Sequence, residues 1–157
     1  DEDINPGEID VCDTLDNDCS GFQDDGGLCP CDVEYSSDGD VWLFCQTDLA
    51  WDTARRVCGA FDYHMATLDD ATDNTFAWST AYAYASSEKW WMGYNDIDTE
   101  GTWEWQDGTS ASFENWATGE PNNDGSGEDC GQLNRFGDDT WNDEPCTNAL
   151  YFVCEAD

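Results

Sequence analysis

The stretch EPNNDGSGEDC, residues 120–130, packs four carboxylates and two carboxamides into eleven residues, together with a proline and two glycines that bend the backbone. A shorter stretch, Trp141-Asn142-Asp143, adds one more carboxamide and one more carboxylate. Oxygen donors clustered in this way suit a hard cation, Ca²⁺ above all. The two stretches therefore predict a calcium site, and an ion held from one side only has coordination positions open to a partner such as a sugar diol.

The charge balance of the chain is extreme, because 37 Asp and Glu face 4 Lys and Arg and the formal net charge is −33. Contacts with nucleic acid or an anionic membrane surface need Lys and Arg, so both partners are effectively excluded. Aromatic residues make up 14% of the 157 residues, whereas disordered acidic chains are poor in them. We therefore expect one folded domain, alone or with a small appendage. Its scattered acids are expected to be a solvated surface, as in a salty habitat where self-repulsion is screened.

Nine cysteines in a chain of this length indicate disulfides formed in an oxidising compartment. Zinc is the competing use, but Cys29-Pro30-Cys31 lacks the Cys-x-x-Cys spacing and the single His64 has no partner at ligand spacing. The odd count leaves one thiol over. No run approaches the ~20 apolar residues of a membrane span, and no signal peptide is present. We expect a secreted or cell-surface protein, without membrane insertion, that starts at a mature or trimmed end.

The first 30 residues form an acidic segment with ten acids, no base and few large apolar residues. Part of it follows the start of an EF-hand-type calcium loop, with side-chain oxygens at loop positions 1, 3, 5 and 9 and glycine at position 6. These residues are Asp16, Asp18, Ser20, Asp24 and Gly21. The twelfth position is Gly27 rather than Glu, and no flanking helix pattern is visible. The segment is therefore half of a calcium-loop motif, and an acidic linker is the alternative interpretation.

The remainder of the chain predicts an α+β pattern rather than a βαβ one. Hydrophobic spacing favours one helix over residues 48–60, with Trp51, Ala54, Val57 and Cys58 on its inner face. A second helix is capped by Asp69 or Asp70 and carries a stripe of Phe76, Ala77, Thr80 and Tyr84. Short strands are predicted at residues 41–45, 65–68, 90–94, 130–133, 141 and 150–154.

Five motifs occur in a fixed order along residues 31–157: Trp51-x-x-Ala54-x-x-x-Cys58, Trp91-Met92-Gly93-Tyr94, Glu120-Pro121-Asn122, Trp141-Asn142-Asp143 and Phe152-Val153-Cys154-Glu155. On these motifs the segment resembles a C-type lectin-like domain. The resemblance implies an α+β fold with two helices, small antiparallel sheets and a long calcium-binding loop region, stapled by disulfides. Residues 1–30 would then be a separate calcium-loop-like segment in front of it.

The resemblance also implies how the cysteines pair. Cys58 joins Cys154, Cys130 joins Cys146, and Cys31 joins Cys45 across an N-terminal hairpin. The first pairing closes a loop of ~97 residues, which is worth roughly 4–5 kcal/mol on the chain-entropy model. In the first segment, residues 12–21 resemble a C-D-G-x-D-N-D-C-D-G motif that is repeated in bacterial surface proteins and associated with metal binding. Cys12 would pair there with Cys19, which leaves Cys29 over.

The principal calcium and carbohydrate site of the family corresponds here to Glu120, Asn122, Glu128, Asn142 and Asp143. Five side chains and a backbone carbonyl give about six oxygens, and Ca²⁺ accepts up to about eight, so two adjacent sugar hydroxyls can complete the shell. In the family, Glu-Pro-Asn goes with mannose, glucose, N-acetylglucosamine and fucose, whereas Gln-Pro-Asp goes with galactose. A cis peptide bond before Pro121 is also implied.

A second calcium position of the family corresponds to Asp96, Glu100, Asn123, Glu128 and Asp129. Asn123 stands where some members have Asp, so one charge is missing, and Asp96 and Glu100 as plain loop acids are the alternative. With the loop in residues 1–30, up to three calcium ions are expected.

The residues also bear on two other functions. A lectin-like domain that binds a protein or another non-sugar surface is the alternative to glycan binding. An enzyme is not expected, because one His, no Ser-His-Asp constellation and no phosphate loop are present.

Isolated aromatic and basic residues allow further expectations. Five tryptophans are expected in the core: Trp51, Trp91, Trp103, Trp105 and Trp141. Arg135 and Phe136 lie in a loop before the Trp-Asn-Asp motif, where Phe136 is either an ordinary turn residue or an aromatic surface for a sugar. His64 is expected to be exposed or half-buried.

Overall fold

A computed structural model describes residues 31–60, 62–125 and 127–156. The predictions made for residues 1–30 therefore lie outside the described residues. They include the calcium loop, the Cys12–Cys19 pairing and the leftover Cys29.

The first helix, α1, spans Trp51–Ala60 and buries the predicted face of Trp51, Ala54, Val57 and Cys58. It begins later than the predicted residue 48, because the preceding strand continues to Leu49. On its outer face Asp52 pairs with Arg55 at 2.8 Å and with Arg56 at 2.5 Å. The helix thus packs on one side and uses two of the four basic residues on the other.

The second helix, α2, spans Ala71–Tyr84 and is capped by Asp70, whose side chain accepts hydrogen bonds from the backbone N–H groups of Thr72 and Asp73. Its buried residues are Asn74, Ala77 and Ala81, so the inner face is rotated from the predicted stripe. Small side chains let the helix approach the sheet closely. Phe76 and Tyr84 pack half-buried along its sides.

Eight strands join in one mixed sheet. Their bounds are β1 Cys31–Tyr35, β2 Val41–Leu49, β3 Tyr63–Met65, β4 Trp90–Asn95, β5 Glu104–Trp105, β6 Cys130–Leu133, β7 Trp141–Glu144 and β8 Leu150–Ala156. The order is β1-β2-β8-β4-β6-β7, with β3 paired to β8 and β5 paired to β4. The α+β class is confirmed, but the strands form a single connected sheet in which β4 and β8 run parallel, rather than small antiparallel sheets. The predicted strand at 65–68 lies earlier, at β3.

The core contains a dense aromatic cluster around Tyr94, which contacts Trp103, Trp105, Trp116 and Trp141 at ring-centroid distances of 4.5–5.9 Å. Four of the five predicted core tryptophans are buried, whereas Trp103 is only half-buried at the edge of this cluster. Trp90, in a stretch predicted as a buried strand, and Trp42, in a predicted apolar strand, are fully buried as well. These ring contacts hold the segment that carries Trp103, Trp105 and Trp116 against β4 and β7.

Gly93 allows the backbone of β4 to lie against the segment after β3. A Cβ atom at this position would lie 2.8 Å from the carbonyl oxygen of Met65, closer than any side chain tolerates. The N–H of Gly93 donates to the carbonyl of Ala66 at 2.9 Å. The glycine of the Trp-Met-Gly-Tyr motif is therefore required for packing.

Three disulfides join cysteines of the described residues, Cys31–Cys45, Cys58–Cys154 and Cys130–Cys146, as the resemblance implied. The second ties α1 to β8 across 96 residues, and the third ties the start of β6 to the segment after β7. In the described part of the chain, neither helix has the length and apolar character needed to cross a membrane.

Candidate calcium and carbohydrate site

The candidate site lies where β7 meets the loop formed by residues 117–125. Pairing of β6 with β7 sets Asn142 opposite Gln132 and Asp143 opposite Gly131, and both β7 side chains are fully buried. The loop is held against the strand because the N–H of its first residue, at position 117, donates to the carbonyl of Trp141 at 2.9 Å. A polar pair from a buried strand thus faces the acidic loop predicted from the sequence.

Asp143 is the centre of this arrangement. Its carboxylate accepts hydrogen bonds from the backbone N–H groups of Asn122, at 2.9 Å, and Asn123, at 2.6 Å. Burial raises the pKa of Glu120, and the Asp143 carboxylate beside it raises that pKa further, while the amide of Asn122 and the guanidinium of Arg135 oppose the rise. The structure therefore brings Glu120, Asn122 and Asp143 together, although about 20 residues separate the loop from the strand.

The Glu-Pro-Asn motif itself is compact. The Glu120–Pro121 peptide bond is cis, and the side-chain amide of Asn122 donates to the carboxylate of Glu120. One residue thus presents an acceptor and the other a donor at the same exposed corner of the loop.

Glu128 follows this loop in the sequence and is 8% exposed. It accepts a hydrogen bond from the N–H of Asp124 at 2.8 Å. Burial raises its pKa, and the carboxylates of Asp143, Glu144 and Asp124 raise it further. Carboxylates that raise the pKa of a neighbouring acid repel it when ionised, so the site favours a bound cation in addition to the nearby Arg135.

Asn123 stabilises the loop through its backbone conformation and its side chain. Its backbone is in the left-handed region, with φ of 47°, which Asn tolerates better than most residues. Its Oδ1 accepts hydrogen bonds from Gly127, at 2.5 Å, and from Glu128, at 3.1 Å. This oxygen thus organises the loop backbone.

The second predicted position centres on Asp96, which follows β4 and is 3% exposed. Its N–H donates to the carbonyl of Asp129 at 3.1 Å, and its Oδ2 accepts from the N–H of Gly101 at 2.7 Å. Burial raises its pKa, with further contributions from Glu100, Asp129 and Asp143. These acids therefore influence Asp96 electrostatically, whereas Glu100 is exposed.

The donor chemistry of these residues fits Ca²⁺. Among the described residues, the Oδ1 atoms of Asn142 and Asp96 are both buried and have no hydrogen-bond partner. Such acceptors cost free energy unless a donor or cation meets them. Among the same residues, no group of three or more His, Cys, Asp or Glu side chains converges in a geometry that could hold a metal ion. The fit therefore depends on carboxylates and carboxamides acting together.

Two residues that support the site were missed by the sequence reasoning. Glu144, next to Asp143, accepts hydrogen bonds from Gln132 and Asn148, both at 2.7 Å. Its Oε2 also lies 3.3 Å from Nη1 of Arg135 and 3.8 Å from Nζ of Lys89. The sequence signal that could have indicated Glu144 is its position directly after the Trp-Asn-Asp motif. The chain has only four basic residues with which an acid can pair. The other residue is Asn74, a polar side chain at an inward position of α2.

Two further predictions concern residues outside this cluster. Phe136 is 53% exposed, and the guanidinium of Arg135 lies 5.5 Å from its ring centroid. His64 is half-buried, within the range predicted, and its Nδ1 lies 2.9 Å from the carbonyl oxygen of Met65.

Residues 47–156 match the family model of the lectin C-type domain, and the chain belongs to this family. It is 33% identical to hepatic lectin of Gallus gallus over 137 residues, which cover 83% of this chain and 63% of that protein. The chain thus spans less than two thirds of this relative.

Comparison with solved structures shows the same fold. The carbohydrate-recognition domain of human scavenger receptor C-type lectin superposes with a TM-score of 0.72, 28% identity, and coverage of 82% of this chain and 98% of that one. A Ca²⁺-dependent type II antifreeze protein in its Ca²⁺-free form gives a TM-score of 0.71, 29% identity, and coverage of 82% and 100%. C-type lectins are non-enzymatic carbohydrate-binding proteins, so the expectation that the chain is not an enzyme is confirmed, and domains of this family generally bind Ca²⁺.

Proposed function

We propose that this chain binds glycans through Ca²⁺ held by Glu120, Asn122, Glu128, Asn142 and Asp143. The observation that carries the proposal is the position of Asp143, which is fully buried and accepts hydrogen bonds from the loop N–H groups of Asn122 and Asn123. Beside it the buried Oδ1 of Asn142 has no partner among the described residues. This set offers three carboxylates and two carboxamides from two segments of the chain.

Side chains of this chain determine the orientation in which the sugar diol binds. Bound Ca²⁺ supplies charge and two free coordination positions for adjacent hydroxyls. Glu120 and Glu128 can only accept hydrogen bonds when ionised, whereas the amide nitrogens of Asn122 and Asn142 can only donate. Each hydroxyl therefore meets an acceptor on one side and a donor on the other. The order Glu-Pro-Asn favours the 3- and 4-hydroxyl arrangement of mannose, glucose and N-acetylglucosamine, and that of fucose.

A second calcium ion would be held by Asp96, Glu100, Asn123, Glu128 and Asp129. The buried Oδ1 of Asp96 is without a partner among the described residues, which supports this part of the proposal. A third ion, at Asp16, Asp18, Ser20 and Asp24, remains a prediction from the sequence. The same holds for the division into residues 1–30 and 31–157.

Titration calorimetry tests the main proposal with mannose, fucose and galactose, each in millimolar Ca²⁺ and again in EDTA. We expect binding of mannose and fucose that EDTA abolishes, and weaker or no binding of galactose. Binding that persists unchanged in EDTA would contradict a role for calcium. A stronger response to galactose would contradict the Glu-Pro-Asn assignment alone.

A second candidate function is binding to a non-sugar surface, with calcium in a structural role. The similarity to a Ca²⁺-dependent antifreeze protein favours it, because that protein shares the fold at 29% identity. A glycan array that gives no hits in millimolar Ca²⁺, together with arrest of ice growth or capture of a protein partner, would favour this candidate.

We also propose an extracytoplasmic location. The three disulfides of the described residues would not persist in a reducing cytosol. Labelling of the natively purified protein with a thiol-specific reagent, before and after reduction, tests whether it carries these bonds. We expect the thiols of all three pairs to be labelled only after reduction, and labelling of these cysteines without reduction would contradict the proposed location.

A further inference from the structure

We propose that Asp124 and Gly125 form a self-modification site, at which the acidic loop converts its own aspartate into isoaspartate when calcium is absent. The effect of calcium rests on the proposed function, whereas the reaction itself does not. Asp-Gly pairs occur in the chain at 25–26, 38–39, 107–108 and 124–125. The first lies outside the described residues, and a comparison of the other three distinguishes the pair in the loop.

The reaction needs only the two residues and water. The backbone nitrogen of the glycine attacks the side-chain carboxyl carbon of the aspartate and forms a cyclic imide, while the N–H proton and the carboxyl OH leave as water. Water then opens the ring at either carbonyl, which restores aspartate or leaves isoaspartate, whose main chain runs through the former side chain. Glycine favours the attack because it has no Cβ and adopts many backbone conformations.

Hydrogen bonds occupy both reacting groups in two of the pairs. At 107–108, the glycine N–H donates to the carbonyl of Trp105 at 2.8 Å, and the carboxylate accepts from the N–H and the hydroxyl of Thr109 at 2.8 and 2.7 Å. At 38–39, the glycine N–H donates to the carbonyl of Ser36 at 3.1 Å, and the carboxylate accepts from the preceding serine hydroxyl at 3.3 Å. Imide formation at either pair therefore has to break hydrogen bonds first.

The pair in the loop lacks these restraints. Within the described ranges, neither the N–H of Gly125 nor the carboxylate of Asp124 has a hydrogen-bond or ion-pair partner. The hydrogen bond of Asp124 is made by its backbone N–H, which donates to the carboxylate of Glu128 at 2.8 Å. All three pairs are exposed to water, so the hydrogen bonds rather than the exposure distinguish them.

Isoaspartate at position 124 alters the part of the loop on which both proposed ions depend. It adds one carbon atom to the main chain between Asn123 and Gly125. On the two sides of this point, Oδ1 of Asn123 accepts from the N–H of Glu128 at 3.1 Å, and the carboxylate of Glu128 accepts from the N–H of Asp124. A longer main chain between these contacts displaces Glu128, so the modified loop binds calcium more weakly.

Bound calcium opposes the reaction. Asn123 and Glu128 are proposed ligands on either side of the pair, so an ion fixes both ends of the segment. Ring closure requires the nitrogen of Gly125 to move towards the carboxyl carbon of Asp124, which this restraint hinders. Protein that has lost its calcium therefore loses its capacity to bind calcium again, at a rate determined by its own loop.

The test follows isoaspartate at each pair by peptide mapping with mass spectrometry, after incubation at neutral pH in EDTA, in Ca²⁺ and in urea. Dividing each rate by the rate in urea removes the effect of neighbouring residues. In EDTA, we expect the corrected rate at 124–125 to exceed the other two by at least about fivefold, because no hydrogen bond of the reacting groups is broken. At a calcium concentration about ten times the dissociation constant, this rate alone should fall by about tenfold.

Substitutions connect the reaction to calcium binding. Asp124→Glu should form almost no isoaspartate, because its longer side chain closes a larger imide slowly, and it should keep its calcium midpoint of thermal stabilisation after ageing in EDTA. The midpoint of the wild type should rise as isoaspartate accumulates, and that of the matched control, Asp107→Glu, should rise equally. Freshly prepared Asp124→Asn should react faster than the wild type, since its amide reaches the same imide by loss of ammonia.

The outcomes separate this inference from the proposed function. Equal corrected rates at the three pairs in EDTA would overturn the modification site, and so would ageing of Asp124→Glu that matches ageing of the wild type. A rate at 124–125 that ignores calcium, in protein that binds sugar only with calcium, would overturn the protection and leave the proposed function standing. Fast reaction at 124–125 in protein without calcium-dependent sugar binding would overturn the proposed function and support the modification site.

Discussion

The indole Nε1–H of Trp141 donates a 2.6 Å hydrogen bond to Oδ1 of Asn74, a buried side chain of α2 that lies 67 residues earlier in the chain. The amide nitrogen of Asn74 donates in turn to the carbonyl of Asp139 at 3.0 Å. One carboxamide therefore fixes both the strand that carries Asn142 and Asp143 and the loop in front of it. The helix holds the site from behind although it contributes no proposed ligand.

Asn74→Ala should destabilise the protein by about 1–3 kcal/mol, because it leaves the buried indole N–H of Trp141 without an acceptor. Urea unfolding measures the change. The Asp139 carbonyl keeps a second donor, Asn115, at 2.8 Å, so the cost should come mainly from Trp141. The exposed neighbour Thr75 provides the control, since Thr75→Ala should change the free energy of unfolding by less than about 0.5 kcal/mol. Equal effects of the two variants would show that the hydrogen bond has no special role.

This link also shows where sequence reasoning stops. The inner face of α1 was predicted correctly because its apolar residues repeat at helical spacing. For α2, the predicted stripe is rotated from the observed inner face: Ala77 is buried as predicted, and Phe76 and Tyr84 pack half-buried against the core. The polar Asn74 was not recognised as an inward residue. The hydrogen bond of Asn74 with Trp141 can be recognised only from the tertiary fold, which brings the two residues together.

The candidate site, too, was predicted from the sequence only in part. The sequence identified the acidic loop and the Trp-Asn-Asp motif, because clustered oxygen donors are unusual enough to be seen without a structure. It did not identify Glu144, whose partners Lys89, Gln132, Arg135 and Asn148 come from separate segments. Nor did it choose between the two interpretations of Phe136, since the exposure of that ring depends on the tertiary fold.

The double substitution Glu120→Gln with Asn122→Asp should move the sugar preference from mannose towards galactose. It exchanges the acceptor and the donor at the corner of the loop, and it leaves the net charge unchanged. A mispaired polar group costs about 1–3 kcal/mol, so the ratio of the two affinities should shift by at least about fivefold. Calorimetry with both sugars in Ca²⁺ measures the ratio. An unchanged preference in a variant that still binds calcium would rule out this explanation of specificity.

Glu128→Gln should weaken calcium binding more than any other single change in the loop, because Glu128 belongs to both proposed ion positions. Wild-type protein should gain about 2.7 kcal/mol of stability at a calcium concentration about 100 times the dissociation constant. In the variant, the calcium midpoint of thermal stabilisation should rise by at least about tenfold. Glutamine keeps an acceptor for the N–H of Asp124, which isolates the loss of charge.

Asp124→Asn is the matched control for that experiment. Asp124 is an exposed carboxylate of the same loop that belongs to neither proposed ligand set. Its loss should leave the calcium midpoint within about twofold of the wild-type value. If Glu128→Gln behaved like this control, the proposal that one residue serves two ions would be wrong.

Glu155, next to the Cys58–Cys154 disulfide, should make stability depend on pH. Its carboxylate accepts a 3.0 Å hydrogen bond from the N–H of Thr67, and burial raises its pKa from 4.5 to about 7. Nearby charges act in both directions, since His64 lowers this pKa while two aspartates, at positions 73 and 40, raise it. Between pH 4.5 and about 7 the folded protein therefore binds more protons at this residue than the unfolded chain does. Its contribution to stability is present below pH 4.5 and is lost as the pH rises through about 7.

Glu155→Gln should remove this dependence, because glutamine still accepts from Thr67 and carries no charge to desolvate. Compared with the wild type, the variant should be more stable by about 1–2 kcal/mol at about pH 8, a figure reduced for partial exposure, and nearly equal at about pH 4.5. Urea unfolding across this range measures the difference. Glu88→Gln, which removes an exposed charge, should shift stability by a small amount that does not change through the same window. A Glu155→Gln curve parallel to that of the wild type at all pH values would contradict the assignment of this titration to Glu155.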